Sequence, residues 1–564
     1  MTDTIDTGAA GGAGAGARVA ELLDRRRRLD EGRAGWLAHW QELAEVMLPG
    51  RADFTGVAGG GGAAGARRAA GLYDGTPMLA RRALAAALDG LLKPKTARWF
   101  SLRAADRAAD RDEATRRWLG EAERILTDAL YARPARFIQA SGEVDNDLVT
   151  FGTGVLFIGE RRDLGGLVFR SIHLRDAVVD SDGDGTVDTI FVTLRRTARQ
   201  AARAWGEANL GARTRAALRQ ERGPEHEFTF VQAVMPRADA LGADAPAGRA
   251  DAGGLPFASL LIDVESAHLV AESGFHEFPF AVPRWETAPG EVYGRSPGMV
   301  ALPDARTLQA MGKTLLIGGQ KAVDPPFWVA DDAVIGAPRT YPGGITYIDS
   351  SVLREGRGIP SGPIETGKNI PLGREMQNDV REQVWQAFFR NVLNMPVAGP
   401  AMTATEVIER REEFVRTIGP VFGQLEADYV AAVVERAFAV LLRAGAFPPP
   451  PDALRGRGVR FEYVSPVARA RRQMEALGLA RAAELMAPFA AVEPGMMERF
   501  DADAIARDVP EIFGAPHDWL RDDAALAERR AARAAEAAGQ GLAALLGDAA
   551  AVPGARAMPG GAIP

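Results

Sequence analysis

The chain contains no cysteine and only six histidines among its 564 residues. Without thiols it can form no disulfide, no cysteine-ligated zinc site and no thiol nucleophile. The histidines form neither an H-E-x-x-H motif nor another pair at metal-binding spacing. The composition therefore excludes the commonest cysteine-based and histidine-based chemistries.

Long apolar runs and a surplus of positive charge are also missing. No stretch approaches the roughly 18 apolar residues that a membrane span needs, and residues 1–20 lack the apolar core of a secretory signal. The 67 lysines and arginines are matched by 74 aspartates and glutamates, so the net charge is −7. Because tight nonspecific DNA binding normally needs a basic surplus, we expect weak contact with DNA at most, and no membrane association.

The remaining composition, 47% hydrophobic and 25% charged, is typical of a globular protein. Residues 1–17 are rich in glycine and alanine, which predicts a flexible tail. Apolar spacings of three, four or seven residues predict a helical N-terminal region over 18–145, with helices at Arg18–Leu48, Leu79–Leu92 and Thr115–Tyr131.

Residues 146–290 change character, because β-branched and aromatic residues become frequent. Thr197 and Gln200 match a capping box that opens a short helix, and 236–254 is an alanine- and glycine-rich insertion. Strands around one short helix, inside helical flanks, indicate an α+β fold. The predicted strands are Thr150–Glu160, Leu167–Leu174, Ala177–Asp180, Val187–Leu194, Glu227–Met235 and Ala258–Val270. Gly165-Gly166 between the first two predicts that they form a hairpin.

Helical periodicity returns in the second half. Residues 325–360 are irregular, with proline and glycine throughout, and 547–564 are predicted to be a second flexible tail. The predicted helices are Asp304–Ala322, Asp379–Val392, one opened by a capping box at Thr403–Glu406, one from Gly419-Pro420 to about Leu442, and Asp522–Leu546.

Gly294-Arg295-Ser296-Pro297-Gly298 imitates the nucleophile elbow of serine hydrolases. In that elbow the residue after the serine donates its backbone N–H to the oxyanion hole, and Pro297 has none to donate. A serine followed by proline is instead a good helix start, with Ser296 as the N-cap. We therefore predict a structural serine and keep the hydrolase as a disfavoured alternative.

Gly312-Lys313-Thr314 imitates the end of a phosphate-binding P-loop. The glycine that should stand five residues earlier is Thr307, and the segment lies within a helical pattern instead of between a strand and a helix. A nucleotide site is not expected here, which argues against an ATP-driven motor.

The four aspartates Asp180, Asp182, Asp184 and Asp188 occupy positions 1, 3, 5 and 9 of a calcium loop. The twelfth position should be a glutamate but is Phe191. The pattern favours a polar hairpin turn between two strands, and a bound cation is the disfavoured alternative. No assembly of nucleophile, base and oxyanion donors is recognisable, so we predict neither an enzyme nor a cofactor.

Four blocks of sequence, in order along about 72–472, resemble the head-to-tail connector (portal) family of short-tailed bacteriophages. The blocks are Leu72–Thr76 with Leu88–Pro94 and Arg98–Phe100; Tyr293–Pro297 through Leu302–Asp304 with Lys321–Pro326; Met402–Val407 with Ile418–Val421; and Tyr463–Ala470.

The resemblance implies a ring of about twelve copies around a DNA channel. It assigns 146–290 to a wing, 291–324 and 361–392 to stem helices, 325–360 to a clip, 403–470 to helices returning to the wing and 471–546 to a helical crown or barrel. Residues 393–402 become a loop facing DNA in the channel, whose uncharged residues suit weak sliding contacts: Leu393, Asn394, Met395, Pro396, Val397, Gly399, Pro400 and Met402.

The partners implied by the resemblance are the major capsid and scaffolding proteins, the large terminase subunit, a tail adaptor and double-stranded DNA held without sequence specificity. The expected location is the portal vertex of the virion, after assembly in the cytoplasm of a bacterial host. Three alternatives stay open: another ring-forming head–tail adaptor, although such adaptors are usually much shorter, a serine hydrolase using Ser296, and a monomeric DNA-binding module.

Overall fold

The computed structural model describes residues 13–55, 69–95, 98–106, 109–110, 112–161, 166–241, 254–323, 327–329, 361–363, 369–390, 419, 421–463, 466–490, 500–513 and 525–536. The chain divides into two units, Met1–Val467 and Ala468–Pro564. Helices and antiparallel sheets share the first unit, which confirms the α+β class. No described helix is long and apolar enough to cross a membrane.

The first predicted helix is two helices that meet at Arg33. The buried guanidinium of Arg33 donates hydrogen bonds to the carbonyls of Leu174 and Ala177, at 2.8 and 2.6 Å. Residues far along the chain thereby fix the point where the two helices meet. The first helix also begins at Ala13, inside the predicted tail. The N-terminal helices are α1 Ala13–Gly32, α2 Ala34–Met47, α3 Thr76–Leu92, α4 Glu113–Tyr131 and α5 Phe137–Phe151.

Helix α5 was not predicted, and the expected strand start at Thr150 was wrong because α5 continues to Phe151. Val144, Leu148 and Phe151 are fully buried, but Asp145 and Asp147 are buried too, so the buried face of this helix is not marked by apolar residues alone. Gly152 ends the helix with a φ of +81°. A Cβ at this position would lie 2.6 Å from the carbonyl carbon of Gly294, so only glycine fits.

A five-stranded antiparallel sheet, in the order β4-β5-β6-β7-β8, is the largest sheet described. Its strands are β4 Ala177–Ser181, β5 Val187–Thr197, β6 Glu227–Pro236, β7 Phe257–Asp263 and β8 His268–Phe275. The predicted strand Ala258–Val270 was wrong, because it is two strands that reverse direction around Ala267, whose φ is +43°. The predicted capping box is confirmed: Thr197 and Gln200 open α6, Ala198–Trp205.

A smaller sheet in the order β3-β2-β9 lies in the same unit. Its strands are β2 Leu156–Glu160, β3 Leu167–Ser171 and β9 Phe280–Ala281, and β2 and β3 form the predicted hairpin. Other short elements are α7 Ala212–Leu218, α8 Arg237–Leu241, and the antiparallel pairs β1 Phe100–Ala104 with β12 Val459–Tyr463 and β10 Phe327–Val329 with β11 Ser361–Pro363.

Two long helices follow the sheets, α9 Pro297–Val323 and α10 Ile370–Ala387. The expected boundary at Pro303 was wrong, because α9 begins at Pro297 and contains Pro303. Helix α10 begins before the predicted Asp379 and ends before the predicted Val392. A π-helical turn, Glu426–Ala431, leads into α11 Ala432–Arg443.

Most of the predicted clip and all of the predicted channel loop 393–402 lie outside the described residues, as does the expected capping box at Thr403–Glu406. The helices α12 Pro466–Ala490 and α13 Ala502–Ile512, and a helical stretch at 525–536, agree with the helical pattern predicted for the C-terminal region.

Candidate functional site

Helices α9 and α10 pack against each other in antiparallel directions. A Cβ added at Gly312 would lie 3.6 Å from Nε2 of Gln377, and one added at Gly373 would lie 2.7 Å from Cδ2 of Leu315. Because positions rise along α9 while they fall along α10, the two helices run in opposite directions. The intervening residues 324–369 therefore connect the ends of a long helical hairpin.

A polar cluster, here the Asp74 clamp, ties this hairpin to the loop before α3. It consists of Tyr73, Asp74, Gln309, Gln377 and Arg381. Oε1 of Gln309 accepts hydrogen bonds from the backbone N–H groups of Tyr73 and Asp74, at 2.7 and 3.0 Å, while its Nε2 donates to the Asp74 carbonyl at 2.8 Å. One loop thereby holds a side chain of α9 through three hydrogen bonds.

The Asp74 carboxylate completes the clamp on the α10 side. It accepts hydrogen bonds from Nε of Arg381 at 2.9 Å, from Nε2 of Gln377 at 3.2 Å and from the backbone N–H of Thr76 at 2.8 Å. Burial by itself would raise the pKa of Asp74, but the hydrogen bonds from Thr76 and Arg381, with the charge of Arg381, lower it overall. The carboxylate is therefore ionised and bonds to α10, while the backbone of Tyr73 and Asp74 holds Gln309 of α9.

A second buried network links α3, α5 and the π-helical turn. Nζ of Lys93 donates to both carboxylate oxygens of Asp145, at 2.7 and 2.9 Å, and to the hydroxyl of Tyr429 at 3.1 Å. The Tyr429 hydroxyl in turn donates to the carbonyl of Ser141 at 3.2 Å. All three ammonium donors of Lys93 have acceptors, as a buried charge requires.

Asp147 is a less well satisfied buried acid on α5. Arg51 donates to its Oδ2 at 2.7 Å, but its buried Oδ1 has no hydrogen-bond partner. Burial raises the pKa of Asp147 to about 7, with Arg51 lowering it and Glu143 raising it. Arg51 and Glu143 also line an open cavity of ≈ 630 Å³. Protonation of Asp147 near neutral pH would relieve the cost of burying its negative charge.

Ser296 acts as the N-cap of α9, as predicted. Ser296 is 3% exposed, and its hydroxyl donates to the Thr150 carbonyl at 2.8 Å and accepts a hydrogen bond from the Met299 N–H at 3.0 Å. A hydroxyl held in this way is not available as a nucleophile, which removes the basis of the hydrolase alternative.

The P-loop-like segment lies in the middle of α9, as the helical pattern predicted. The Thr314 hydroxyl donates to the Ala310 carbonyl at 2.9 Å, within the same helix. Backbone N–H groups inside a helix already bond to carbonyls one turn back, so they cannot hold a phosphate.

The four aspartates of the calcium-like segment occupy the β4–β5 hairpin but serve different contacts. Asp180 pairs with Arg25 of α1 at 3.0 Å. Oδ1 of Asp182 accepts the N–H groups of Asp184 and Thr186, at 3.0 and 2.8 Å, which is the geometry of a polar turn. In the part of the chain that the structure describes, no three His, Cys, Asp or Glu residues are placed to hold a metal. A cation at this turn stays an untested hypothesis.

The Asp74 clamp was missed by sequence reasoning, although Asp74 stands in one of the blocks that carried the resemblance. The available signal was the placement of Gln309 and Gln377 on helices next to apolar residues such as Leu308 and Val380. Polar residues on a buried helix face usually have a dedicated partner, but the sequence does not identify that partner.

Comparison with known proteins gives consistent matches over almost the whole chain. The family model described as bacteriophage head to tail connecting protein matches residues 19–520. The probable portal protein of Bordetella phage BPP-1 is 28% identical over 505 residues, and the portal protein of Salmonella phage epsilon15 is 25% identical over 500 residues. Each alignment covers 87% of this chain and 87% of the relative.

One solved structure, a chain from the virion of a native gene transfer agent particle, aligns with 74% of this chain and 86% of its own length. Its TM-score is 0.34 and its sequence identity 12%, so no conclusion about the fold rests on it.

Proposed function

This chain belongs to the family of bacteriophage head-to-tail connecting proteins and is a portal subunit, and we propose that its copies form a closed ring around the channel for the phage genome. It is a structural component of the virion and not an enzyme. Cyclic rings form when one surface of each subunit fits a different surface of the next, so about twelve identical copies can close without free ends.

The antiparallel hairpin of α9 and α10 is the observation that carries the proposal. Every described residue of α9 from Gly312 onward is at least partly exposed, and only Gln377 and Val384 of α10 are buried. Two helices alone cannot cover their own apolar side chains, and neighbouring hairpins in a ring would do so. The exposed apolar residues are Leu316, Ile317, Val323, Leu372 and Met376.

The channel would guide DNA through weak contacts. A net charge of −7 disfavours strong binding to phosphates, which would act as friction on a moving duplex. We place the channel loop at 393–402, between α10 and the helix that contains the π-helical turn. Its residues carry no charge, which suits sliding contact with DNA.

The remaining regions would serve the other partners of a portal. Residues 325–360 would form the clip that meets the large terminase subunit during packaging and a tail adaptor afterwards. The five-stranded sheet within 146–290 would form the wing, near the major capsid and scaffolding proteins, and 471–546 would form the crown or barrel. Assembly would take place in the cytoplasm of the host bacterium.

Electron microscopy of the purified full-length chain tests the ring. We expect particles of about twelve subunits with a central channel wide enough for a duplex, roughly 20 Å. Monomers at micromolar concentration, both alone and with the phage scaffolding protein added, would contradict the proposal. A ring with a channel too narrow for a duplex would favour a different head–tail adaptor.

A further inference from the structure

One end of strand β5 carries negative charge that no cation in the described part of the chain balances. Asp182, Asp184 and Asp188, here the acidic tip, form no ion pair with a described residue, whereas Asp180 is paired with Arg25. Burial raises the pKa of Asp188, a hydrogen bond from Thr189 opposes this, and the charges of Asp182, Asp239 and Asp180 add to the rise. Like charges are therefore held together at this turn.

The acidic tip is held in place rather than free to move away. Asp182 fixes the turn through the two backbone N–H groups it accepts. Nη1 of Arg284 donates to the carbonyl of Gly185 at 3.0 Å, while Nε of Arg284 pairs with Asp428 at 3.0 Å. Since the charge of Arg284 is balanced by Asp428, Arg284 anchors the turn without neutralising the acidic tip.

The other end of β5 carries an uncompensated positive pair. Arg196 lies near Arg170 of β3, and burial together with the charge of Arg196 lowers the pKa of Arg170. Arg170 stacks 5.0 Å from the centre of the Phe157 ring, and Arg196 donates only to the backbone carbonyl of Arg195. Neither guanidinium pairs with a described acid. Two partly desolvated cations without an anion are unfavourable in a single subunit.

These two charged surfaces are far apart on one subunit. Asp188 and Arg196 are eight residues apart on the same strand, which corresponds to roughly 26 Å at the usual rise of a strand. They cannot neutralise each other within one copy. In a closed ring, each subunit offers two different surfaces to its two neighbours.

We propose that the Arg170–Arg196 pair of one copy binds the acidic tip of the next copy in the ring. This contact rests on the proposed ring and names one pair of surfaces that closes it. A planar guanidinium matches a carboxylate through two parallel hydrogen bonds. Each copy contributes one Arg170–Arg196 pair and one acidic tip, so in a complete ring every such pair contacts the acidic tip of a neighbouring copy.

Charge reversal tests the contact, with ring formation measured by mass photometry and electron microscopy. In the first variant Arg170→Glu and Arg196→Glu reverse the basic pair, and in the second Asp184→Lys and Asp188→Lys reverse the tip. Asp182 stays unchanged because it builds the turn. Like charges facing each other should reduce the ring fraction by on the order of tenfold or more in each variant.

Combining all four substitutions in one chain should restore rings, because the charges become complementary again with reversed sign. Loss of folding cannot produce such rescue, so the combined variant separates assembly from stability. Arg195→Glu is the control for position 196: it reverses one charge one position away, on the opposite face of β5, and should leave rings intact.

Failure of the combined variant to form rings, while wild type forms them, would overturn the contact but not the portal ring. Absence of rings in wild type would overturn the proposed ring and this contact together. Intact rings in the Arg170→Glu and Arg196→Glu variant with weakened binding of a DNA duplex would show that this pair meets phosphates, and would also overturn the contact.

Discussion

Removing the Asp74 carboxylate should loosen α10 from the loop before α3, because this carboxylate bonds to Gln377 and Arg381 of α10. Asp74→Ala leaves Nε2 of Gln377 and the N–H of Thr76 without their acceptor; Gln377 is buried and Thr76 is partly buried. An unsatisfied buried donor costs about 1–1.5 kcal/mol. Arg381 is 39% exposed and can be rehydrated, so it adds less. The sum is about 3 kcal/mol.

Hydrogen exchange measures this loss directly, because it reports the free energy of local opening in each segment. Amides of α10 should exchange roughly 100-fold faster in Asp74→Ala, which corresponds to about 3 kcal/mol. Amides of β6 in the five-stranded sheet should be unchanged. Asp74→Asn keeps one acceptor oxygen and should lose about half as much.

The matched control is Asp379→Ala, which removes an exposed carboxylate from α10, the helix whose amide exchange is measured. Its effect should stay within about 0.5 kcal/mol. Unchanged protection of α10 in Asp74→Ala, or equal effects of the two variants, would refute the view that Asp74 holds the helical hairpin.

Three further predictions concern a buried acid, a close backbone contact and the channel loop. Burial raises the pKa of Asp147 to about 7, so the folded state binds its proton more tightly than the unfolded chain, where the pKa is about 3.9. Its stabilising contribution is full below about pH 4 and is lost as the pH rises through about 7. The free energy of unfolding measured in urea should therefore fall over this pH window in wild type, and fall less in Asp147→Asn. Equal pH slopes of the two proteins would contradict the raised pKa of Asp147. Gly152→Ala combines a φ of +81° with a Cβ 2.6 Å from a backbone carbonyl carbon, and it should lower the free energy of unfolding by at least about 4 kcal/mol. Gly166→Ala, with a φ of +99° but open space around it, should lower it by only about 1–2 kcal/mol. Similar melting temperatures of the two variants would refute the steric argument. Because the chain has no cysteine, Asn394→Cys introduces a single thiol, which should cross-link to packaged DNA through a thiol-reactive probe. The exposed control Gln200→Cys should not cross-link. Equal cross-linking of the two variants would show that residues 393–402 are not the loop that faces DNA.

Local chemistry determined much of this protein from the sequence alone. The hairpin of β2 and β3, the capping box at Thr197 and the N-cap at Ser296 each depend on residues a few positions apart. Their hydrogen bonds form within one turn or one hairpin, so the sequence pattern and the structure agree. The portal resemblance carried by four blocks is likewise confirmed by the family match over residues 19–520.

Tertiary structure decided what distant residues do together. Helix α5 escaped prediction because its buried face includes Asp145 and Asp147, and charged residues at buried positions break the apolar spacing that marks a helix. The Asp74 clamp joins residues 235, 303 and 307 positions apart, and no local rule relates them. A buried polar side chain can be recognised in a sequence, but its partner is chosen by packing, because only the folded chain brings the two within hydrogen-bonding distance.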